Sequence, residues 1–139
     1  VFFLYPVHPN PNVKDVAYEI LGNCNNICLC DPLDYAPFVA AMKRAYLIIS
    51  DSGGVQEEAP SLNKPILVMR DTTERPEALS AGAVKLVGTN KNRIIDEVED
   101  LFTNNDSYSR MANVANPYGD GNAGKLILSH LVNRIGNIA

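Results

Sequence analysis

Short apolar runs alternate along this chain with longer stretches whose apolar positions recur every three or four residues. Residues 1–5, Val1-Phe2-Phe3-Leu4-Tyr5, form a strand-type run ended by Pro6. Residues 13–21 carry Val13, Val16, Ala17, Ile20 and Leu21 at helical spacing. A second strand is predicted over 27–30, stopped by Asp31-Pro32, and a helix over 35–44 with Phe38, Val39 and Met42 on one face. Residues 46–50 are a continuous apolar run. They are followed by Asp51-Ser52-Gly53-Gly54 and a short helix through Ala59. Further strands are predicted over 65–69 and 83–87. Residues 91–102 read as a helix with Ile94, Ile95, Val98, Leu101 and Phe102 as its stripe. Two more helices, over 106–114 and 121–135, close the chain.

Strands with little polar alternation, separated by helices, predict a parallel sheet covered on both faces. The expected fold is a Rossmann-like, doubly wound α/β domain of about five or six strands with right-handed crossovers. Residues 1–139 are expected to form a single domain, of which 103–139 is a helical tail without strands. The chain opens inside a predicted buried strand, with no Met and no polar lead-in. It is therefore expected to be a piece of a longer protein.

Composition narrows the picture only modestly. With 139 residues, 46% hydrophobic and 20% charged, the chain fits one globular domain rather than a disordered segment. A net charge of -4 and no Lys/Arg-rich run argue against a nucleic-acid module. The apolar runs are far shorter than the ~20 residues a membrane-spanning helix needs. Cys24, Cys28 and Cys30 are expected to be buried structural thiols, with Cys28 and Cys30 pointing apart, rather than a metal or redox site. Reduced thiols suit the cytoplasm.

In doubly wound sheets ligands bind beyond the carboxyl ends of the strands, so the loops after strands matter most. In Ser50-Asp51-Ser52-Gly53-Gly54-Val55-Gln56-Glu57-Glu58-Ala59, two glycines let backbone approach a ligand, and free N–H groups suit an anion. The loop is neither a Walker A motif nor GxGxxG. Glu57 and Glu58 would repel a phosphate but accept ribose hydroxyls. That pairing suggests a nucleotide, and a capped helix with a glycine turn is the plain alternative. In Arg70-Asp71-Thr72-Thr73-Glu74-Arg75-Pro76-Glu77, Arg75 is held extended by Pro76 and can fork onto a pyrophosphate; a solvated loop of ion pairs is the alternative. Asn116-Pro117-Tyr118-Gly119-Asp120-Gly121-Asn122-Ala123 is a rigid turn before the last helix, capped by Asp120 or Asn122. His8, in His8-Pro9-Asn10-Pro11, is a weaker candidate. So are Tyr35 and Phe38, either of which can pack on a base or on the core.

Taken together, these loops resemble the non-hydrolysing UDP-N-acetylglucosamine 2-epimerases of bacteria. The resemblance rests on Ser52 through Pro60, Val68-Met69-Arg70, Thr73-Glu74-Arg75-Pro76-Glu77 and Asn116-Pro117-Tyr118-Gly119-Asp120-Gly121. Tyr5-Pro6-Val7-His8, Asn10-Pro11-Asn12-Val13 and Asp34-Tyr35-Ala36-Pro37-Phe38-Val39 fit as well, in family order along the whole chain. The resemblance implies the C-terminal half of a glycosyltransferase-B-like, two-domain enzyme. The tail would lean back on the missing N-terminal domain. The implied reaction interconverts UDP-GlcNAc and UDP-ManNAc by elimination of UDP to a 2-acetamidoglucal and re-addition. It needs no metal or redox cofactor and feeds surface polysaccharide synthesis, in an intact enzyme expected to be a homodimer.

By the same resemblance Ser52, Gly53 and Gly54 hold the diphosphate and Glu58 takes the ribose hydroxyls. Arg75 sits near the phosphates or the sugar, and Phe38 and the backbone at Leu33 contact uracil. The family often has a polar residue at the Leu33 position, a change that a main-chain contact survives. His8 occupies the position linked to a second, activating UDP-GlcNAc site. The proposed acid/base groups of the family lie outside this sequence, so no catalytic residue is assigned in it and the chain alone is expected to be inactive. A hydrolysing 2-epimerase, a glycosyltransferase donor domain and a non-catalytic UDP-sugar-binding module are the competing readings.

Overall fold

The computed structural model describes residues 1–136. It divides the chain into two compact units, Val1–Ala41 and Met42–Ala139.

In the first unit, β1 (Phe3–Pro6) is followed by α1 (Pro11–Leu21), β2 (Ile27–Cys30) and the start of α2 (Tyr35–Arg44). β1 and β2 pair in parallel, with Leu4 opposite Cys28 and Pro6 opposite Cys30. Helix α1 starts two residues before its apolar stripe. The Asn10 side chain accepts from the Asn12 N–H as N-cap, and Pro11 takes the first position, where its missing N–H costs nothing. Pro6 is the last residue of β1, so the strand ends where the proline was expected to end it.

The cover expected on both faces is absent from β1: Phe3, Leu4 and Tyr5 are 42%, 50% and 37% exposed. The thiols follow the same pattern, and this corrects the expectation of a buried set. Cys28 is exposed, and Cys24 and Cys30 are half-buried. Nor do Cys28 and Cys30 point apart, because positions two apart on a strand share a face. Burial pushes the Cys30 thiol above its ordinary value, with Cys28 and Asp31 adding to the rise. A raised thiol is a poor nucleophile at neutral pH.

In the second unit, β3 (Ile48–Ser50), β4 (Ile66–Val68) and β5 (Val84–Leu86) form a parallel sheet in the order β3-β4-β5. The register sets Ser50 beside Val68 and Val68 beside Leu86. Here the prediction of a doubly covered strand holds, since Ile66, Leu67 and Val68 are all fully buried. The core cluster is Leu67, Val87 and Leu101, with Ile49, Met69, Ile94 and Val98 packed against it. The strand-to-helix segment after β3 is α3 (Gly53–Glu58), continued by a 3-10 turn over Ala59–Leu62.

The helices after β5 follow from capping and stripe. Asn90 caps α5 (Lys91–Thr103) by accepting from the Arg93 N–H. Ile94, Val98 and Leu101 face the core, whereas Ile95 stays exposed. Phe102 instead stacks on Tyr46, ring centres 5.0 Å apart. Asn104 both ends α5 and caps α6 (Asn105–Ala112). Helix α7 (Ala123–Gly136) carries the tail, whose last residues, 137–139, lie outside the described residues. No helix among the described residues is long and apolar enough to cross a membrane.

Helix α4 (Pro76–Ala81) was not anticipated. It begins on Pro76, which reads as loop, and buries only Ala78, so it shows no apolar period. Gly82 ends it at φ 89, accepting the left-handed conformation on which such caps rely.

Gly88, after β5, has φ 63, and a Cβ there would stand 2.7 Å from Asp71 Oδ1. The carboxylate can swing away but the backbone cannot. Gly88→Ala is therefore expected to cost about 1–2 kcal/mol in urea unfolding, and Gly88→Asn less, since Asn tolerates this conformation.

Candidate functional site

Because β3 and β4 are parallel neighbours, the loops after them leave the same end of the sheet. One carries Asp51 through Gly54 into α3; the other carries Arg70 through Arg75 into α4. Ser52 stands at the N-cap position of α3 in extended conformation, and its hydroxyl makes no capping bond. Its own N–H donates to Ser50 Oγ at 3.1 Å. The first intrahelical bond runs from the Gln56 N–H to the Ser52 carbonyl, at 3.4 Å. The N–H groups of Gly53, Gly54 and Val55 precede it. They are the unpartnered donors that every helix start presents.

Gln56 is the buried polar residue of this region, 1% exposed. Its Nε2 donates to the Ser52 carbonyl at 3.2 Å. Its Oε1 accepts from the Thr73 hydroxyl at 2.6 Å. Thr73 Oγ1 in turn accepts from the Arg75 N–H at 3.0 Å. The second loop is thereby tied to the first.

The Arg75 guanidinium lies over the glycine loop. A Cβ on Gly53 would stand 3.9 Å from Arg75 Nη2. Nε is held by the Glu57 carboxylate, and Nη1 donates to the Glu74 carbonyl at 3.1 Å. The hydrogen bond and charge of Glu57 hold the guanidinium above its ordinary value. Adjacent acids thus have different environments. Glu57 is paired, whereas Glu58 Oε2 is a buried side-chain oxygen with no hydrogen-bond partner among the described residues. Burying a carboxylate oxygen without a partner is unfavourable, and such an atom marks a place for a donor.

Tyr118 completes this region. Burial pushes its phenol up, as do the charges of Glu77 and Glu57, while the Ala78 N–H and Arg75 pull it down. Its loop is rigid: Asn116 accepts from the Tyr118 N–H at 3.1 Å and donates to the Gly119 carbonyl at 2.9 Å. Asn122, not Asp120, holds the cap position of α7, since the Asn122 carbonyl accepts from the Leu126 N–H. Asp120 bonds Asn122 instead, which lowers the Asp120 carboxyl below its ordinary range.

Ser52, Gly53, Gly54, Glu58 and Arg75 are therefore gathered in the second unit. Gln56, Thr73 and Tyr118 join them without having been singled out, and Glu57, read with Glu58 as an acceptor of ribose hydroxyls, instead pairs with Arg75. All four lay inside the loops picked from the sequence, but their partners are set by folding. The remaining expected residues belong to the first unit. His8 is exposed after β1, and its Nδ1 accepts from the Asn10 N–H at 3.2 Å, leaving Nε2 as its free edge. Leu33 is half-buried in the loop after β2, and half-buried Phe38, in the first turn of α2, donates its N–H to the Asp34 carbonyl at 2.9 Å. Among the described residues no group of three or more His, Cys, Asp or Glu is arranged to hold a metal ion.

A model of the UDP-N-acetylglucosamine 2-epimerase family matches residues 1–132. The chain is 57% identical to the UDP-N-acetylglucosamine 2-epimerase of Escherichia coli K12 over 130 residues, 94% of this chain and 35% of that protein. The Yersinia pestis enzyme is 58% identical over the same shares. The solved structure of the Neisseria meningitidis UDP-GlcNAc 2-epimerase bound to UDP-GlcNAc superposes with a TM-score of 0.87 at 50% identity, over 95% of this chain and 36% of that one. The chain thus spans about a third of the length of these relatives.

Proposed function

The chain belongs to the UDP-N-acetylglucosamine 2-epimerase family, and we propose that it is the nucleotide-binding half of such an enzyme, acting on UDP-GlcNAc and UDP-ManNAc by elimination and re-addition of UDP. The observation that carries this reading is the buried Glu58 Oε2, without a hydrogen-bond partner among the described residues, at the end of the helix that Gly53 and Gly54 begin under Arg75. An acceptor without a donor fits ribose hydroxyls. N–H groups beside a guanidinium fit a diphosphate.

In this reading Ser52, Gly53 and Gly54 clamp the diphosphate with Arg75, and Glu58 orients the ribose. Leu33, through its backbone, and Phe38 receive uracil. The clamp stabilises charge that develops on UDP as it leaves, which is where fixed donors contribute most. Removal of the weakly acidic C2 proton needs a positioned base, worth ~10²–10⁴-fold, and that group comes from the remainder of the two-domain, glycosyltransferase-B-like protein. His8 offers its Nε2 edge to a second, activating nucleotide sugar.

In this reading the tail, 103–139, packs toward the remainder of the protein; its last residues, 137–139, lie outside the described residues. In α7, Leu126, Ile127, Leu128, Leu131, Val132 and Ile135 are all at least half exposed, more apolar surface than a helix facing only water carries. The intact enzyme is a homodimer of the non-hydrolysing type that needs no metal. It is cytoplasmic, in keeping with three unpaired thiols.

Titration of UDP into the chain, followed by amide NMR, tests the reading. Saturable shifts are expected at residues 52–58 and at Arg75, with Kd in the range ~0.1 mM to several mM for half a site. UDP-GlcNAc added to the same sample is expected to stay unchanged. The intact protein should form UDP-ManNAc without net release of UDP. Unmoved amides at several millimolar UDP, or turnover by the chain alone, would sink it.

A further inference from the structure

We propose that Gln56 and Thr73 are positioning residues that set the Gly53 N–H and Arg75 as one rigid pair. The inference rests on the nucleotide-binding reading above and assigns to that site two residues that act through the Ser52 carbonyl and the Arg75 backbone.

The geometry is a single file of hydrogen bonds. The Arg75 N–H donates to Thr73 Oγ1 at 3.0 Å, and the Thr73 hydroxyl donates to Gln56 Oε1 at 2.6 Å. Gln56 Nε2 then donates to the Ser52 carbonyl at 3.2 Å. Donation runs the same way at every step, so each bond polarises the next. Gln56 is 1% exposed, so water does not substitute for either partner of its carboxamide.

The Ser52 carbonyl also accepts from the Gln56 backbone N–H at 3.4 Å. With two donors on it, the carbonyl direction is fixed. Ser52 C=O and Gly53 N–H belong to one planar trans peptide, so they point in opposite directions. Pinning the carbonyl toward Gln56 therefore aims the Gly53 N–H away from it, outward from the loop. At the other end Thr73 anchors the backbone of Arg75, whose Nη2 lies 3.9 Å from the Cβ position of Gly53. Two donors from separate loops are thus held at a common spacing before any ligand arrives. Such preorganisation removes an ordering cost from binding.

Thr73 carries the test because it is only half-buried, whereas Gln56 is part of the packed interior. Thr73→Val keeps the shape and removes the hydroxyl; Thr73→Ser keeps the hydroxyl. In ligand-free protein, 15N relaxation of Thr73→Val should show the Gly53 amide newly mobile, while Thr73→Ser should match wild type. UDP affinity should fall about fivefold in Thr73→Val and return to within about twofold in Thr73→Ser. The loss should also be smaller in an Arg75→Ala background, because the two residues act together. A Gly53 amide that stays rigid in Thr73→Val overturns the proposal, as does equal loss in both Arg75 backgrounds or failure of serine to rescue. If wild type binds no UDP, the nucleotide reading fails. The relaxation result then decides the loop coupling by itself.

Discussion

Arg75→Ala is expected to weaken UDP binding by about tenfold or more, the usual effect of losing a charge-assisted hydrogen bond to an anion. Two consequences add in the same direction. The Nη2 edge over Gly53 disappears, and with it the cation nearest the glycine loop. Glu57, which that guanidinium now holds, is left as an uncompensated carboxylate beside the phosphate position. Glu57→Gln in the Arg75→Ala background should therefore recover part of the loss. Arg75→Lys should recover less than charge alone suggests, since an ammonium cannot serve Glu57, the Glu74 carbonyl and a ligand with one planar fork. The wild-type affinity should also fall with added salt, because Arg75 is partly exposed and screened. Calorimetric or NMR titration measures all four proteins. An Arg75→Ala affinity within twofold of wild type would remove Arg75 from the site.

The largest stability effect is expected at Leu67. Its side chain is fully buried at the middle of the central strand β4, against Val87 and Leu101. Leu67→Ala removes three heavy atoms from a site hemmed by strands on both sides, which leaves little room to collapse. The expected loss is about 2–5 kcal/mol, read as a lower urea midpoint at unchanged slope. Leu126→Ala on α7 is the contrast. That side chain is 68% exposed, so the loss should stay below about 0.5 kcal/mol. A Leu67→Ala loss under about 1 kcal/mol would mean that the β3-β4-β5 sheet is not the stability core of the second unit.

Much of this molecule was legible where one local force dominates. Apolar stripes located α1 and α5 to within two residues at each end. The Ser52–Glu58 and Thr73–Arg75 loops stood out because charged, glycine-rich segments directly after buried strands exceed what a turn requires. Reading failed where the determining contact was remote. Helix α4 buries one small residue, so no period announced it. Cys28 lies on an apolar strand, and its exposure depends on what covers β2, which the run of residues does not encode. Cys28 and Cys30 were expected to point apart, against the two-residue period of any strand. Glu57 and Glu58 are chemically alike and adjacent. Only the position of Arg75, 18 residues from Glu57, made one a partner in an ion pair and left the other with a buried oxygen that has no partner among the described residues.

The sequence by itself determined the α/β class, the parallel pairing of strands that helices separate, the helices with a clear apolar stripe and the cap region of the last helix. Each of these follows from periodicity or from a side chain bonding its own neighbourhood. It did not determine the division of the strands into one sheet of two and another of three. Tertiary structure alone decided that Gln56 would bridge Ser52 to Thr73, that Arg75 would lie over Gly53 and that β4 rather than β1 would be covered on both faces. Those outcomes depend on contacts between segments far apart in the chain, and only the folded arrangement specifies them.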